Sequence, residues 1–289
     1  MSSVAPTPSR PLKILMLHGY TQSGPLFHAK TRALEKNLQK SFPAGISLHY
    51  PTAPRRLSPA DVPFLQPAAK DSDTNGVQEE PEEVDAWGWW QRKGDSIPYE
   101  YEGLEDGFGH IAQLLKSEGP FDGVIGFSQG GAATGMVASL LEPNRRAAFE
   151  KLYPEGGMLY PDSFSTKTGD TEEPIHPPLK FAVSYSGFAA QDSSLYKAFY
   201  EPKIQTPMLH FIGSLDTVVD EKRSLALVEA CETSEGRVVY HPGGHFLPSS
   251  QKVYVQALIG FIKERIHIAE QEGKSNGKEE SVEDMDVPF

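Results

Sequence analysis

The feature that most constrains this 289-residue chain is an alternation of short apolar runs with longer segments of helical character. The apolar runs are rich in β-branched and aromatic residues, as expected of buried strands. Alternating strands and helices predict an α/β protein with a mostly parallel central sheet flanked by helices. The predicted strands lie in residues 12–19, 46–54, 121–127, 179–187, 207–214 and 237–244, and the predicted helices in residues 26–42, 105–119, 130–142, 220–232 and 251–266.

Two long segments, residues 52–98 and 143–178, interrupt the alternation. Both are rich in proline, and the first ends in the aromatic sequence AWGWWQRKGD. Insertions of this length in a compact domain are typical of lids, binding loops or disorder. We therefore predict one α/β domain over residues 11–268 with two insertions, a disordered N-terminus at residues 1–10 and an acidic disordered tail at residues 269–289.

The net charge of −12 is concentrated in two segments. Residues 71–85 carry seven acids and no base, and residues 270–289 carry seven acids and two bases. We interpret both as solvating segments, and a docking role stays open. No basic stripe suited to nucleic acid is visible, and no apolar run reaches the roughly 20 residues that span a bilayer. We therefore expect no nucleic-acid partner and no membrane span.

The chain has a single cysteine, Cys231, which excludes an internal disulfide and fits a reducing compartment. Residues 1–13 have neither the apolar core nor the cleavage pattern of a signal peptide. These features predict a cytoplasmic location, with the nucleus left open. Cys231 itself is predicted to be a small packing residue on a helix.

A catalytic serine is indicated by a G-x-S-x-G motif between a predicted strand and a predicted helix, Gly126-Phe127-Ser128-Gln129-Gly130. In that context the chain turns sharply and presents the serine at the tip, and the glycines remove Cβ atoms that would clash there. We predict Ser128 as a nucleophile, with an ordinary Gly-Ser turn as the alternative. The backbone N–H of Gln129, at the positive end of a helix, is a predicted oxyanion-hole donor.

A serine hydroxyl is a weak nucleophile and needs a base. Downstream of Ser128, the segment HPGGHFLP places His245 in a glycine-rich loop between a predicted strand and the last helix. Such a loop can bring the imidazole over the serine, so His245 is the predicted base. His241, at the end of the preceding strand, is the competing candidate.

The acid is expected after the preceding strand, in HFIGSLDTVVD. Asp216 follows that strand directly, where its carboxylate can accept the imidazole N–H and hold the useful tautomer. Asp220 precedes a helical run and is better explained as a helix N-cap.

The second oxyanion donor is expected in the loop LHGYTQSG after the first strand. The N–H of Tyr20 is the first choice and that of Thr21 the second. His18 and Gly19 are predicted to shape this loop, and a structural role for His18 is favoured over a role as a base.

Aromatic residues near these motifs are candidates for an apolar wall around an acyl chain, although ordinary core packing is an equal alternative. The predicted pocket residues are Trp87, Trp89, Trp90, Phe127 and Phe246, with Tyr20 as a further candidate. Four basic residues of the first insertion could attract a phosphate of coenzyme A or of a carrier arm, but we favour their interpretation as solvated surface charges. They are Arg55, Arg56, Arg92 and Lys93.

Five motifs together resemble the FSH-type serine hydrolases, a branch of the α/β-hydrolase superfamily. They are ILMLHGYTQSG, WGWW followed by YEGLEDG, FDGVIGFSQGGAA, GSLDTVVD and HPGGHFLP, and they occur in the family order over residues of about 12 to 265. GFSQGGA alone also resembles acyl-protein thioesterases, and the tryptophan block is what points to the FSH group.

The resemblance implies an α/β-hydrolase fold with lid or insertion loops, and Ser128, Asp216 and His245 as nucleophile, acid and base. It implies hydrolysis of a small-molecule acyl ester or thioester, with no cofactor and no metal. Some FSH relatives release thioester-bound products from polyketide synthases, so release from a carrier is an alternative function. A non-catalytic binding protein on a hydrolase scaffold is another, and a peptidase stays open, whereas a dehalogenase would need a carboxylate in place of Ser128.

Overall fold

The computed structural model describes residues 10–62, 84–94, 100–168, 171–190 and 194–283. Six strands form the central sheet. They are β1 (Leu12–Leu17), β2 (Ile46–His49), β3 (Gly123–Phe127), β4 (Phe181–Tyr185), β5 (Met208–Gly213) and β6 (Val238–His241). Their order is β6-β5-β4-β3-β1-β2, and every neighbouring pair is parallel.

Helices cover both faces of this sheet, because each strand buries side chains alternately to its two sides. On β1, Ile14 and Met16 share a buried cluster with residues of the first and last helices. Leu15 and Leu17 share the other cluster with residues of the helices between them. The helices are α1 (Gly24–Ser41), α2 (Leu104–Glu118), α3 (Gln129–Leu140), α4 (Arg145–Leu152), α5 (Glu221–Glu229) and α6 (Lys252–Glu283). The predicted parallel sheet with two helical layers is confirmed.

The sheet gathers the predicted site residues at one edge. Ser128 follows β3 directly, Asp216 follows β5, and His245 follows β6. The loop of residues 18–22 follows β1. Since all these strands are parallel, their carboxyl ends lie along the same edge, where open α/β sheets bind their ligands.

The insertions contain regular structure of their own. In the first, Arg55–Arg56 pairs antiparallel with Trp87–Gly88, and Gln91–Lys93 pairs antiparallel with Glu100–Glu102. The second contains α4 and a hairpin of Ser165–Thr168 with Thr171–Pro174. Residues 71–83 of the acidic run at 71–85 lie outside the described residues, as do the N-terminal residues 1–9.

The last helix is longer than the sequence pattern predicts. α6 continues to Glu283, past the predicted end at residue 266 and into the segment for which disorder was expected. Glu, Gln and Lys, which are good helix formers, are frequent in this extension, and no proline interrupts it. The domain limits at residues 11 and 268 remain predictions.

Candidate active site

Ser128 lies in a strained turn between β3 and α3. Its φ of 54° and ψ of −117° fall in a region that residues with a side chain rarely adopt. A Cβ at Gly126 would lie 2.1 Å from the carbonyl oxygen of Gly130, and a Cβ at Gly130 would lie 2.1 Å from that of Leu17. The predicted need for glycine on both sides of the serine is therefore confirmed.

The hydroxyl of Ser128 contacts the imidazole of His245. The Oγ atom lies 2.9 Å from Nε2, a hydrogen-bond distance. The imidazole packs on the ring of Phe127, with ring centroids 4.9 Å apart. A hydroxyl and an imidazole in this contact can exchange a proton without further movement.

The other nitrogen of the same imidazole, Nδ1, lies 2.7 Å from Oδ2 of Asp216. Oδ1 of Asp216 accepts hydrogen bonds from the backbone N–H groups of Val218 and Val219, at 2.9 and 3.0 Å. Burial would raise the pKa of Asp216, but the hydrogen bonds from Val219, His245 and Val218 together outweigh it, and the pKa lies below its usual value. An ionised carboxylate in this position holds the Nδ1–H tautomer, which leaves Nε2 free to accept a proton.

The competing acid has a structural role. Asp220 is the N-cap of α5, and its side chain accepts a hydrogen bond of 2.8 Å from the N–H of Lys222. The prediction that Asp220 caps the helix is confirmed.

The competing histidine, His241, makes no hydrogen bond with the hydroxyl of Ser128. His241 is buried against the rings of Phe246 and Tyr254, and within the described chain neither of its ring nitrogens has a hydrogen-bond partner. Burial lowers the pKa of His241, and the nearby carboxylate of Asp216 only partly offsets this. This ring is therefore expected to stay neutral in its pocket.

His18 is a structural residue, as predicted. Its Nε2 accepts the N–H of Ala53 at 2.9 Å, and Nδ1 lies 2.8 Å from the carbonyl oxygen of Gly19, so the proton sits on Nδ1. Complete burial lowers its pKa to about 4. The neutral ring ties the loop after β1 to the first insertion.

The two predicted oxyanion donors are the N–H groups of Gln129 and Tyr20. Within the described residues neither has an intramolecular acceptor, and Gln129 begins α3 directly after the serine. The N–H of Thr21 donates to the carbonyl oxygen of Trp87 at 2.9 Å, which removes Thr21 as the alternative donor. The loop itself approaches the serine closely, since a Cβ at Gly19 would lie 3.2 Å from that of Ser128.

A cavity of about 900 Å³ opens beside Ser128 and His245. Such a volume suits a small organic ligand. The polar residues that line the cavity, besides Ser128 and His245, are Tyr20, Thr21, Gln22, Lys30 and Thr31. Its apolar wall is formed by Leu26, Phe27, Phe127, Val218, Phe246 and Leu247. Phe127, Phe246 and Tyr20 therefore line the cavity, as the sequence predicted. The contribution of α1 was not predicted. The signal for it is that α1 directly follows the loop after β1, which carries the predicted donor Tyr20.

The three tryptophans lie elsewhere, so the assignment of Trp87, Trp89 and Trp90 to the pocket is corrected. None of them lines this cavity. Trp89 and Trp90 are buried in the core, and the ring of Trp90 packs at a tilt of 31° against that of Tyr101. Trp87 is half-buried beneath the guanidinium of Arg56. A hydrophobic wall and a hydrophobic core require the same side chains, so composition cannot separate them.

Among the basic residues of the first insertion, Arg55 is bound by other side chains of the chain. Arg55 donates to Gln91 at 3.0 Å and forms an ion pair with Glu102 at 3.3 Å. Lys93 is exposed on a short strand. In the part of the chain that the structure describes, no cluster of three His, Cys, Asp or Glu side chains is arranged to hold a metal, and no helix is long and apolar enough to cross a membrane.

The fold is an α/β-hydrolase fold. The crystal structure of Zea mays acyl-protein thioesterase 2 matches it with a TM-score of 0.54 at 18% identity, over 91% of this chain and 96% of that one. Esterase PE8 matches with a TM-score of 0.51 at 16% identity, over 89% and 93% of the two chains.

Sequence comparison identifies the family. The family model described as serine hydrolase (FSH1) matches residues 7–257. Family of serine hydrolases 3 from Saccharomyces cerevisiae is 34% identical over 276 residues, which are 94% of this chain and 90% of that protein. Esterase OVCA2 from Danio rerio is 32% identical over 252 residues, which are 83% and 92% of the two chains. The chain belongs to the serine hydrolase (FSH1) family and is an enzyme of the class that includes these esterases and thioesterases.

Proposed function

We propose that the protein hydrolyses carboxylic esters or thioesters of apolar acyl groups through a Ser128-His245-Asp216 triad and an acyl-enzyme intermediate. The observation that carries this proposal is the continuous pair of contacts from Ser128 Oγ to His245 Nε2 and from His245 Nδ1 to Asp216 Oδ2, at 2.9 and 2.7 Å. Serine, imidazole and carboxylate in this order are the parts of an activated nucleophile.

In the first half-reaction, Ser128 Oγ attacks the acyl carbonyl while its proton moves to Nε2 of His245. The carbonyl oxygen becomes an oxyanion, which accepts hydrogen bonds from the N–H groups of Gln129 and Tyr20. Each such donor contributes about 3–4 kcal/mol of transition-state stabilisation. The imidazolium then protonates the departing alcohol or thiol, and the acyl group stays on Oγ as an ester.

In the second half-reaction, His245 takes a proton from water, and the hydroxyl attacks the acyl-enzyme. The same two N–H groups bind the second oxyanion, and collapse of this intermediate releases the carboxylic acid. The proton on His245 returns to Ser128 Oγ. Asp216 remains ionised throughout and balances the positive charge that His245 carries in both steps.

The substrate class follows from the wall of the cavity. Aliphatic and aromatic side chains from α1 and from the loop after β6 line the space next to Ser128, so an apolar acyl chain is the group that buries the most surface there. The relative named esterase OVCA2 supports an ester as the reacting bond. Release of an acyl product from a carrier thioester is the second form of the same chemistry.

Hydrolysis of a panel of p-nitrophenyl acyl esters and acyl-CoA thioesters tests the proposal. The native protein is expected to hydrolyse at least one series, and Ser128→Ala is expected to lose this activity. Ser139→Ala is the matched control, because Ser139 is a buried serine of α3 whose Oγ has no hydrogen-bond partner in the described residues. Equal rates for native protein and Ser128→Ala would contradict the assignment, and an inert native protein would favour a non-catalytic binding role.

A cytoplasmic location is part of the proposal. Its support is that the single cysteine, Cys231, is a free thiol, so the fold contains no internal disulfide. Fluorescence imaging of the full chain carrying a C-terminal fluorescent protein tests it, and accumulation in the secretory pathway would contradict it.

A further inference from the structure

We propose that Trp89 and the side chain of Gln129 are positioning residues that hold the two halves of the oxyanion hole at a fixed separation. This inference rests on the proposed function, in which the N–H groups of Gln129 and Tyr20 bind the oxyanion. The two halves come from different parts of the chain, α3 and the loop after β1, and some structure must set the distance between them.

The first half is fixed by a pair of amide hydrogen bonds. The N–H of Trp89 donates to Oε1 of Gln129 at 2.8 Å, and Nε2 of Gln129 donates to the carbonyl oxygen of Trp90 at 2.8 Å. Both bonds are buried. These two bonds give the side-chain amide of Gln129 a single orientation. Gln129 is therefore held by its side chain as well as by its backbone, which begins α3 directly after Ser128.

The second half is fixed by the same segment of chain. The indole N–H of Trp89 donates to the carbonyl oxygen of His18 at 2.9 Å, and the carbonyl oxygen of Trp87 accepts the N–H of Thr21. These two bonds lie on either side of Tyr20 in the sequence. The Tyr20 ring packs on Gly88, where an added Cβ would lie 2.9 Å from the ring.

Residues 87–90 thus bind both donor segments at once. Hydrogen-bond donors must match an oxyanion to within about 0.5 Å to stabilise the transition state. Every buried indole N–H needs an acceptor, and here the acceptor is the carbonyl oxygen of His18, in the loop that carries the second donor. The indole of Trp89 and the backbone of this segment therefore have a role in the site although they do not line the cavity, whereas the indole of Trp90 makes none of these four hydrogen bonds.

The test compares two substrates that differ only at the carbonyl, phenyl hexanoate and its O-phenyl thionoester. Sulfur is larger than oxygen and accepts hydrogen bonds poorly, so a hole set for oxygen discriminates strongly against the thionoester. We expect Trp89→Phe and Gln129→Met to lower kcat for the oxygen ester about tenfold or more, with KM nearly unchanged. The thionoester rate is expected to change little, so the oxygen-to-sulfur ratio of kcat/KM falls about tenfold.

Trp90→Phe is the matched control, because it removes an indole of equal size from the same segment and keeps all four hydrogen bonds. Its oxygen-to-sulfur ratio is expected to equal that of the native protein. Proportional losses on both substrates in Trp89→Phe and Gln129→Met would overturn the inference, as would a fall in the ratio for Trp90→Phe. Circular dichroism establishes folding of each variant, and if Trp89→Phe does not fold, the ratio for Gln129→Met decides. Failure of the proposed function is separate, since it would appear as hydrolysis that survives Ser128→Ala.

Discussion

The imidazole Nε2 of His245 lies 2.9 Å from the hydroxyl of Ser128, although 117 residues separate them in the chain. Each residue follows a different strand of the parallel sheet, and the rigid sheet keeps both at its carboxyl edge. Asp216, after a third strand, completes the chain of contacts through Nδ1. The arrangement therefore depends on topology as much as on the three side chains.

His241, at the end of β6, and His245, in the loop after it, are expected to differ in their effect on rate. His245→Ala removes the base and should lower kcat by about 10⁴-fold or more. His241→Ala removes a ring without polar partners in the described residues, and should lower the unfolding temperature while kcat stays within a few fold. Steady-state hydrolysis of a p-nitrophenyl ester distinguishes them, and the reverse pattern would overturn the choice of base.

The glycines around the serine are expected to be required for folding. Gly126→Ala places a Cβ 2.1 Å from the carbonyl oxygen of Gly130, so the turn must open, and we expect a loss of several kcal/mol in the free energy of unfolding. Gly109→Ala is the control, because Gly109 lies in α2 and a Cβ added there would have no atom within 4 Å, and the change should stabilise by about 0.5–1 kcal/mol. Denaturant unfolding measures both, and similar unfolding free energies for the two variants would contradict this explanation.

Stability is expected to fall in mild acid because of His18. Burial lowers its folded-state pKa from 6.5 to about 4, so unfolding takes up a proton below pH 6.5. The free energy of unfolding should be unaffected by this group above pH 6.5 and should decrease by up to ~3 kcal/mol as the pH falls to 4.

His18→Asn tests this pH dependence. The variant is less stable overall, but its unfolding free energy should decline less steeply than that of the native protein between pH 6.5 and 4. His210, whose pKa burial also lowers to about 4, contributes the same slope to both proteins. If the unfolding free energies of the native protein and of His18→Asn decline in parallel between pH 6.5 and 4, His18 is not the cause of the acid destabilisation.

The wall of the cavity is expected to set acyl-chain preference. Leu26→Trp adds bulk where α1 lines the cavity, so kcat/KM for p-nitrophenyl octanoate should fall about tenfold relative to the acetate. Val253→Trp, at an exposed position of α6 outside the cavity wall, should leave the ratio unchanged. An unaltered ratio in Leu26→Trp would place the acyl chain elsewhere.

The sequence predicted the sheet and the neighbours of the serine because both depend on local patterns. Apolar runs define strands, and the glycines at 126 and 130 report a turn that no other residue fits. The choice between Asp216 and Asp220 was also local, since one follows a strand and the other begins a helix.

The remaining features depend on packing that no local pattern encodes. Whether an indole such as that of Trp89 faces a cavity or the core is decided by residues far away in the chain, here by His18, whose carbonyl oxygen accepts the indole N–H. The hydrogen bond from the N–H of Thr21 to the carbonyl oxygen of Trp87 likewise depends on how the first insertion packs against the loop after β1. The contribution of α1 to the cavity wall also depends on the packing of this helix beside the loop that carries His245.

Locating the covalent adduct on the protein tests the central claim most directly. The native chain is treated with a fluorophosphonate, digested and analysed by mass spectrometry, with Ser128→Ala treated in parallel. We predict one adduct on Ser128 in the native protein and none on the variant. An adduct on another residue, or equal labelling of the Ser128→Ala chain, would contradict the assignment of the nucleophile.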